Sequence, residues 1–456
     1  MMSRRFVLLG LAGLVLCLGL AGPAQASHHY VVETSGNLPP DIDKMVAAAG
    51  GSLKRAMPEI GLAVAAADDP SFAGKLASNS KVVSVTEDTI VQWVPGPGAL
   101  AKQTLVGPAS GAPEPNPQGA FFFGCQWSLN QIQAPGAWAE DQFGSPEAKV
   151  AVLDTGVDPS HIDLNGRVDT AHSASVLTPG SSPCGAPDES SFVDFDFHGT
   201  FVSSLITTNN LGIAGVAPKA QVVAVKVLNC QGFGSFGDVI AGIHYASHLD
   251  DVQVLNMSLG ALIPNNAADK PLIRAIQRAV DFATDHGKLV VAAAGNNGIH
   301  LTKNGSVIEL PAQANQAAAI YATTITQTLA SYTNFGEVTW VGAPGGDLPN
   351  PAAPLPNCPR VPPSIQSLII GACAPALCGT TNRYVLGAGT SFASPLVAAV
   401  AELINASRGD EVNPHRVKHI LAHTADRIGS DDLFSHGRVN ARRAVNPGED
   451  DGGEDN

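Results

Sequence analysis

Short apolar runs that alternate with helical stretches are the strongest constraint on the fold of this chain. Four such runs follow residue 148: KVAVLD, QVVAVKVLN, VQVLNMSLG and KLVVAAAG. Between them, stretches such as FGDVIAGIHYASHL and PLIRAIQRAVDFATDHG repeat apolar residues at helical spacing. Strands that are apolar on both faces and are separated by helices indicate a parallel sheet with helices on both sides. The sequence therefore predicts an α/β fold in three layers, with sites beyond the carboxyl ends of the strands.

A smaller unit precedes this sheet. Between residues 27 and 94, YVVET and GLAVAAA are typical of strands, DIDKMVAAAG and DPSFAGKLAS of helices, and KVVSVTEDTIVQWV of one or two closing strands. This order suits a βαββαβ (ferredoxin-like) domain. Residues 95–123 are rich in Pro, Gly and Ala, so we expect a linker without regular packing that a protease can cut. The main domain is then expected over residues 124–446.

The chain begins like an exported protein. Arg4 and Arg5 precede an apolar run through Leu20, and the small residues Ala24 and Ala26 flank a glutamine. This pattern predicts a signal peptide over residues 1–26. A membrane anchor is the alternative, but the run is short for a bilayer span, so no membrane contact is expected after cleavage. We expect a secreted, extracellular or periplasmic protein, and SRRF leaves general and twin-arginine export both open.

Charge and cysteine content narrow the partners. The chain has 26 basic and 40 acidic residues, a net charge of −14, which argues against nucleic acid as a partner. Residues 447–456 form an acidic tail that we expect to be disordered. Six cysteines remain after the signal peptide, which suggests up to three disulfides in an oxidising compartment and leaves their pairing open. Cys373 and Cys378 are the one close pair, so a zinc site built from thiolates is disfavoured.

Four polar residues stand where chemistry is expected. Asp154 ends the strand KVAVLD, His198 begins a helical run in HGTFVSSLI, and Asn296 follows the buried run KLVVAAAG. Ser391 lies in GAGTSFASPLVAA at the start of an apolar helix, where developing negative charge is favoured. Each has an ordinary structural explanation, such as a turn or a helix cap. Together they supply the nucleophile, base, orienting carboxylate and amide donor that acyl transfer requires.

Two other enzyme classes share part of this pattern. Asp-Thr-Gly after an apolar run also marks pepsin-like aspartic proteases, but no second Asp-Thr-Gly or Asp-Ser-Gly occurs and the fold prediction is not all-β. A lipase or esterase of the α/β-hydrolase type needs Gly-x-Ser-x-Gly, and the segment around Ser391 is GTSFA.

The motifs DTGVDPSHIDL, HGT, NMSLG, AAGN and GTSFASP, in this order, resemble those of the subtilisin-like serine proteases (subtilases). The resemblance implies a three-layer subtilisin-like fold and a self-processing serine endopeptidase that cuts proteins or peptides through an acyl-enzyme, without a cofactor for catalysis. It assigns Asp154, His198 and Ser391 to the catalytic triad and Asn296 to the oxyanion hole. A catalytically silent binding protein with the same fold is the alternative.

The resemblance also predicts binding sites. Ser258, Leu259 and Gly260 would pair with extended substrate, and Ala294 and Gly295 would line an apolar pocket for the side chain before the scissile bond. HGTFVSS departs from the family's HGTHVAG, and we expect this change to adjust packing behind the catalytic face.

The resemblance further implies that residues 27–94 are an inhibitory propeptide of a monomeric enzyme and that Cys184 and Cys230 are bonded. Asp163 matches a calcium-binding aspartate, which implies a structural calcium ion. Phe123 stands where the family has a further ligand, however, so that site is left open.

Overall fold

The computed structural model describes residues 28–95, 103–347, 354–409 and 413–446. The expected signal peptide and the acidic tail lie outside these ranges. Strands and helices up to residue 87 follow the order β1 (His28–Thr34), α1 (Ile42–Ala48), β2 (Ser52–Met57), β3 (Leu62–Ala67), α2 (Phe72–Ala77) and β4 (Val82–Glu87). The four strands form an antiparallel sheet in the order β2-β3-β1-β4. The predicted βαββαβ unit is confirmed; together with residues 88–95 that follow it, it is called the N-terminal module below.

The remaining strands include those of the predicted parallel sheet. They are β5 (Ile90–Gln92), β6 (Gln103–Val106), β7 (Lys149–Asp154), β8 (Ala174–Ser175), β9 (Val222–Lys226), β10 (Phe233–Ser235), β11 (Val252–Met257), β12 (Ala261–Pro264), β13 (Leu289–Ala293), β14 (Val307–Leu310), β15 (Ala318–Thr323), β16 (Val341–Pro344), β17 (Ile369–Ala372) and β18 (Arg383–Gly387). Seven of them form a parallel sheet in the order β16-β15-β13-β11-β7-β9-β8.

Helices cover both faces of this sheet. They are α3 (Trp127–Gln131), α4 (Ala134–Trp138), α5 (Ala186–Ser190), α6 (His198–Ile206), α7 (Phe236–Ser247), α8 (Lys270–Asp285), α9 (Pro375–Cys378), α10 (Thr390–Arg408), α11 (Pro414–His423), α12 (Asp431–Phe434) and α13 (Ala441–Val445). Alternate residues of β7 point to opposite faces. Val150 and Val152 pack in the core that contains α6 and α10, whereas Ala151 and Leu153 pack in the core that contains α7 and α8. The predicted three-layer α/β architecture is confirmed.

The expectation that residues 95–123 lack regular packing is wrong for the described part of the segment. β6 pairs with β18 and completes a sheet in the order β17-β18-β6. Leu105 and Phe122 are buried, and the Phe122 ring lies 5.4 Å from that of Tyr384. The segment packs because its few large apolar residues cover the edge of this small sheet. Residues 96–102 lie outside the described ranges.

The cysteine pairing that the sequence left open is now defined. Disulfides join Cys125 to Cys358, Cys184 to Cys230, and Cys373 to Cys378. The close pair is therefore a disulfide and not a set of zinc ligands. Within the described ranges, no helix combines the length and the apolar character needed to span a bilayer.

Candidate active site

Asp154 and His198 meet at the carboxyl edge of the parallel sheet. Asp154 is the last residue of β7 and His198 is the first of α6, and the start of this helix lies against the end of the strand. Both are fully buried, and His198 Nδ1 lies 2.8 Å from Asp154 Oδ1 and 3.0 Å from Oδ2. Burial by itself lowers the pKa of His198, but the charge of Asp154 and its hydrogen bond outweigh burial and raise it. The arrangement therefore stabilises the imidazolium form relative to a buried histidine without such a partner.

Ser391 lies in the first turn of α10, beside this pair. The small residues before it leave room for substrate backbone, and the next side chain, Phe392, anchors the turn. The Phe392 ring stacks on Phe201 of α6 at 4.1 Å and lies 5.9 Å from the His198 ring. His198 Nε2 is buried and has no hydrogen-bond partner among the described residues. The ring nitrogen opposite Asp154 is thus left for a hydroxyl or a substrate.

Asn296 is held against the same turn. Its Oδ1 accepts hydrogen bonds from the backbone N–H and the hydroxyl of Thr390, both at 2.9 Å, which leaves Nδ2 as the free donor. A Cβ placed on Gly389 would lie 3.7 Å from both Asn296 Nδ2 and the Ser391 nitrogen. Two donor nitrogens therefore border one small space, which a side chain at residue 389 would partly fill.

The residues predicted to bind substrate divide into two groups. Leu259, Gly260 and Gly295 line a cleft of about 400 Å³ together with Asn296 and Ser391. Ser258 and Ala294 are fully buried behind that wall. The Ser258 hydroxyl donates to the Ser391 carbonyl at 2.8 Å, and the Ala294 carbonyl accepts from Asn334 Nδ2 at 2.9 Å. These two residues therefore support the cleft from behind.

The expectation of a purely apolar pocket is wrong. Glu309, on β14, lines the same cleft and is buried. Burial raises the pKa of its carboxyl to about 8. The sequence signal was a single charged residue in the apolar run SVIELP, but its place depends on the pairing of β14 with β12, which the sequence pattern did not reveal.

The end of the N-terminal module occupies the cleft. β5 pairs with β10 in antiparallel register, with Val91 opposite Gly234. The next residue but one, Trp93, donates its backbone N–H to the Gly232 carbonyl and accepts from the Gly260 N–H, each at 3.0 Å. Its indole N–H donates to the Gly234 carbonyl at 3.0 Å. An extended peptide is thus bound between two chain segments of the main domain.

The residues around Asp163 do not fit a calcium ion. Asp163 is fully buried, and its carboxylate accepts hydrogen bonds from the backbone N–H groups of residues 211, 212 and 213 and from the Tyr384 hydroxyl. Calcium takes about six to eight oxygen ligands, whereas the loop after α6 presents N–H donors to this carboxylate. The implied calcium ligand is therefore not supported, because hydrogen bonds from the loop and from Tyr384 already occupy the Asp163 carboxylate.

Two further acidic residues near His198 were missed in the sequence. Asp194 accepts hydrogen bonds from Thr155, from both donors of Thr200 and from the Asp196 N–H. Asp196 accepts from the His198 N–H at 3.1 Å. Burial is the main cause that raises the pKa of Asp194 to about 6 and of Asp196 to about 7. These groups fix the start of α6, and the sequence DFDFHGT offered only their spacing as a signal.

A buried Asp–His pair beside a serine at a helix start, on the carboxyl edge of a parallel α/β sheet, defines a class of serine peptidases. Comparison with known proteins agrees with this. The sequence model of the subtilase family matches residues 145–442, and the chain belongs to that family. It is a serine-type endopeptidase, and the chemistry of this family needs no cofactor.

Individual relatives support the assignment. The chain is 32% identical to thermitase of Thermoactinomyces vulgaris over 72% of its own length and 99% of that protein. It is 33% identical to subtilisin Savinase of Lederbergia lenta over 70% of its length and 98% of that protein. Among solved structures, it resembles the epidermin leader peptide processing serine protease of Staphylococcus aureus, with a TM-score of 0.73 and 23% identity over 92% of this chain and 98% of that one. The last comparison supports the fold.

Proposed function

We propose that Asp154, His198 and Ser391 form the catalytic triad of this endopeptidase. The observation that carries the proposal is the buried Asp154–His198 pair, whose Nε2 is unpaired beside the turn that holds Ser391. In the reaction, Nε2 takes the hydroxyl proton as Oγ attacks the scissile carbonyl. The protonated imidazole then gives this proton to the leaving amine, and water hydrolyses the acyl-enzyme with the same base. The charge and hydrogen bond of Asp154, which raise the pKa of His198, stabilise the imidazolium that forms at each step.

Asn296 and the Ser391 N–H are proposed to bind the oxyanion. Both donors lie 3.7 Å from one point above Gly389, and Thr390 holds the Asn296 amide in a fixed orientation. Donors fixed before the reaction cost no reorganisation when charge develops, so they stabilise the transition state more than mobile groups would.

We propose that the N-terminal module is an inhibitory propeptide and that the enzyme is exported as a zymogen. Its tail occupies the cleft as an extended strand, as Trp93 shows. The module also contacts helices α7 and α8. Glu33 accepts from Arg274 at 2.8 Å, and Asp88 accepts from the Gly237 N–H at 2.9 Å. Cleavage between residues 95 and 123, after export directed by residues 1–26, would release a monomeric enzyme that acts on proteins or peptides outside the cytoplasm.

The donors around Asp163 are proposed to replace the calcium ion that the family resemblance implied. Three backbone N–H groups and one hydroxyl point the positive ends of their dipoles at this buried carboxylate. They stabilise its negative charge, as a bound cation would otherwise do.

A fluorophosphonate probe tests the triad. Such a probe forms a covalent bond with an activated serine, so processed enzyme is expected to carry it on Ser391. Ser391→Ala should abolish both labelling and self-cleavage of the precursor. Ser394→Ala is the matched control, because this serine lies three residues further along α10 and donates to Asn256 at 2.9 Å. Folded, processed protein that cuts no substrate and stays unlabelled would favour the silent binding protein.

A further inference from the structure

One acidic side chain in the substrate cleft has no role in the triad. Glu309 lines the cleft together with Gly260, Gly295, Asn296 and Ser391, and 2% of its surface is exposed. It lies on β14 opposite Leu262 of β12. A buried carboxyl in a cleft that binds peptide is costly unless a partner compensates it, so its place calls for an explanation.

The walls of the cleft are shaped around this carboxyl. A Cβ on Gly260 would lie 2.3 Å from Glu309 Oε1, and a Cβ on Gly295 would lie 2.7 Å from the carboxyl carbon and 2.8 Å from Oε2. A side chain at Gly260 would displace this carboxyl, and one at Gly295, whose Cβ would also lie 2.4 Å from Asn334 Nδ2, would displace both groups. The two glycines belong to the segments that the family resemblance assigned to substrate binding, so the carboxyl lies between the two substrate-binding segments.

Protein donors leave the carboxyl poorly compensated. Asn334 Nδ2 lies 3.4 Å from Oε2, but this amide makes its shorter bond, at 2.9 Å, to the Ala294 carbonyl. Gln313 binds the backbone N–H of Glu309 and not its side chain. Burial alone accounts for the raised pKa of about 8, and no positive group among the described residues offsets it. A cation that entered the cleft with the substrate would be the missing partner.

We propose that Glu309 determines specificity for the residue before the scissile bond, and that this subsite binds the cationic side chain of lysine or arginine. The inference rests on the proposed function, because it needs Ser391 to mark the scissile bond. An ammonium or guanidinium group is the natural partner of a buried carboxylate, since the pair is then charged, hydrogen-bonded and shielded from water. An apolar side chain would bury the same carboxyl without compensation.

The preference is expected to depend on pH. Gly260, Gly295 and Asn334 approach the carboxyl and none of them titrates, and among the described residues no charged group shifts its pKa, so Glu309 itself sets the response. A carboxyl whose pKa is about 8 is mostly protonated below that pH, and the cation requires the ionised form. Preference for a basic residue should therefore rise with pH and level off above the pKa.

The test uses processed enzyme and peptides that are identical except for lysine, arginine or norleucine before the cleaved bond. Norleucine keeps most of the lysine chain without the charge. The measured quantity is the ratio of kcat/KM for the lysine peptide to kcat/KM for the norleucine peptide. The titration of His198 affects both peptides equally, so it cancels in this ratio. We expect a ratio above about 10 near pH 9, falling by up to about tenfold for each pH unit below the pKa of Glu309.

Glu309→Gln should lower this ratio at least tenfold and remove its pH dependence. Glu337→Gln, an exposed carboxyl outside the cleft, is the matched control and should leave the ratio unchanged. If Glu309→Gln does not fold, the wild-type enzyme still tests the inference, because its lysine-to-norleucine ratio must rise with pH. A wild-type ratio below one near pH 9, or a lysine preference that survives in Glu309→Gln, would overturn the inference while leaving the protease intact. If the enzyme cut none of the peptides and Ser391 stayed unlabelled, the proposed function itself would be refuted.

Discussion

Replacing Asp163 by asparagine separates a calcium site from a site held by protein donors. Oδ1 accepts from the Leu211 N–H at 2.7 Å, and Oδ2 accepts from residues 212 and 213 and from Tyr384. Asparagine keeps one oxygen, which is best placed where Oδ2 was, so its amide group would face the Leu211 N–H. An unpaired buried donor costs about 1–3 kcal/mol, and each of the three retained bonds loses about 1 kcal/mol with the charge. We expect Asp163→Asn to lower the free energy of unfolding by about 5 kcal/mol.

The assay is urea unfolding in a Ser391→Ala background, which prevents self-digestion. Each variant is measured with a chelator and with excess calcium. If N–H donors hold Asp163, the loss caused by Asp163→Asn is the same in both solutions. If calcium holds it, chelator destabilises the parent and the loss shrinks towards zero, which would refute the reasoning. Asp431→Asn is the control, because the side chain of Asp431 is 75% exposed and such a surface charge contributes about 1 kcal/mol or less.

Three further predictions concern the site. With a norleucine substrate, kcat/KM should rise with pH through the pKa of His198, because the imidazole must be neutral to act as the base, and this pKa lies above its usual 6.5. Asp154→Asn should lower the pKa of His198 and should reduce kcat by a larger factor than it changes KM. Phe201→Ala removes a fully buried ring stacked at 4.1 Å on Phe392, so it should cost about 3–5 kcal/mol in urea unfolding and weaken labelling of folded protein by a fluorophosphonate. Trp93→Ala should raise the activity of uncleaved precursor towards a small peptide, since losing an anchor of about 2 kcal/mol loosens the tail about thirtyfold; unchanged latency would argue against inhibition by the tail.

Much of the architecture could be predicted because it depends on local patterns. The apolar runs that became β7, β9, β11 and β13 are buried on both faces, so their sequence alone indicates a covered parallel sheet. β2 had a weaker signal, since SLKRAM alternates between exposed and half-buried residues and contains two cations. β6 had almost none, because a four-residue strand in a segment rich in Pro and Gly forms only through its partner β18.

The positions of the proposed catalytic residues could be predicted where a residue's place in its own element determined where it lies. Asp154 ends a strand and Ser391 begins a helix, so each was placed at the sheet edge by its neighbours in sequence. Asp163 could not be placed in this way. An aspartate beside a loop suits a cation or a set of N–H donors equally well, and the choice depends on whether carbonyls or N–H groups of the loop turn inward.

Glu309 shows the same limit for specificity. The character of the cleft depends on a carboxyl that reaches it from β14, across two glycines that lie 49 and 14 residues earlier in the chain. Neither glycine reveals this by itself, because a glycine at a substrate wall is expected for close approach of the peptide backbone. That the two glycines also leave space for the side chain of Glu309 becomes visible only when β14 is paired with β12. The substrate preference proposed for this chain therefore depends on contacts between distant segments, whereas the proposed catalytic residues lie in local motifs.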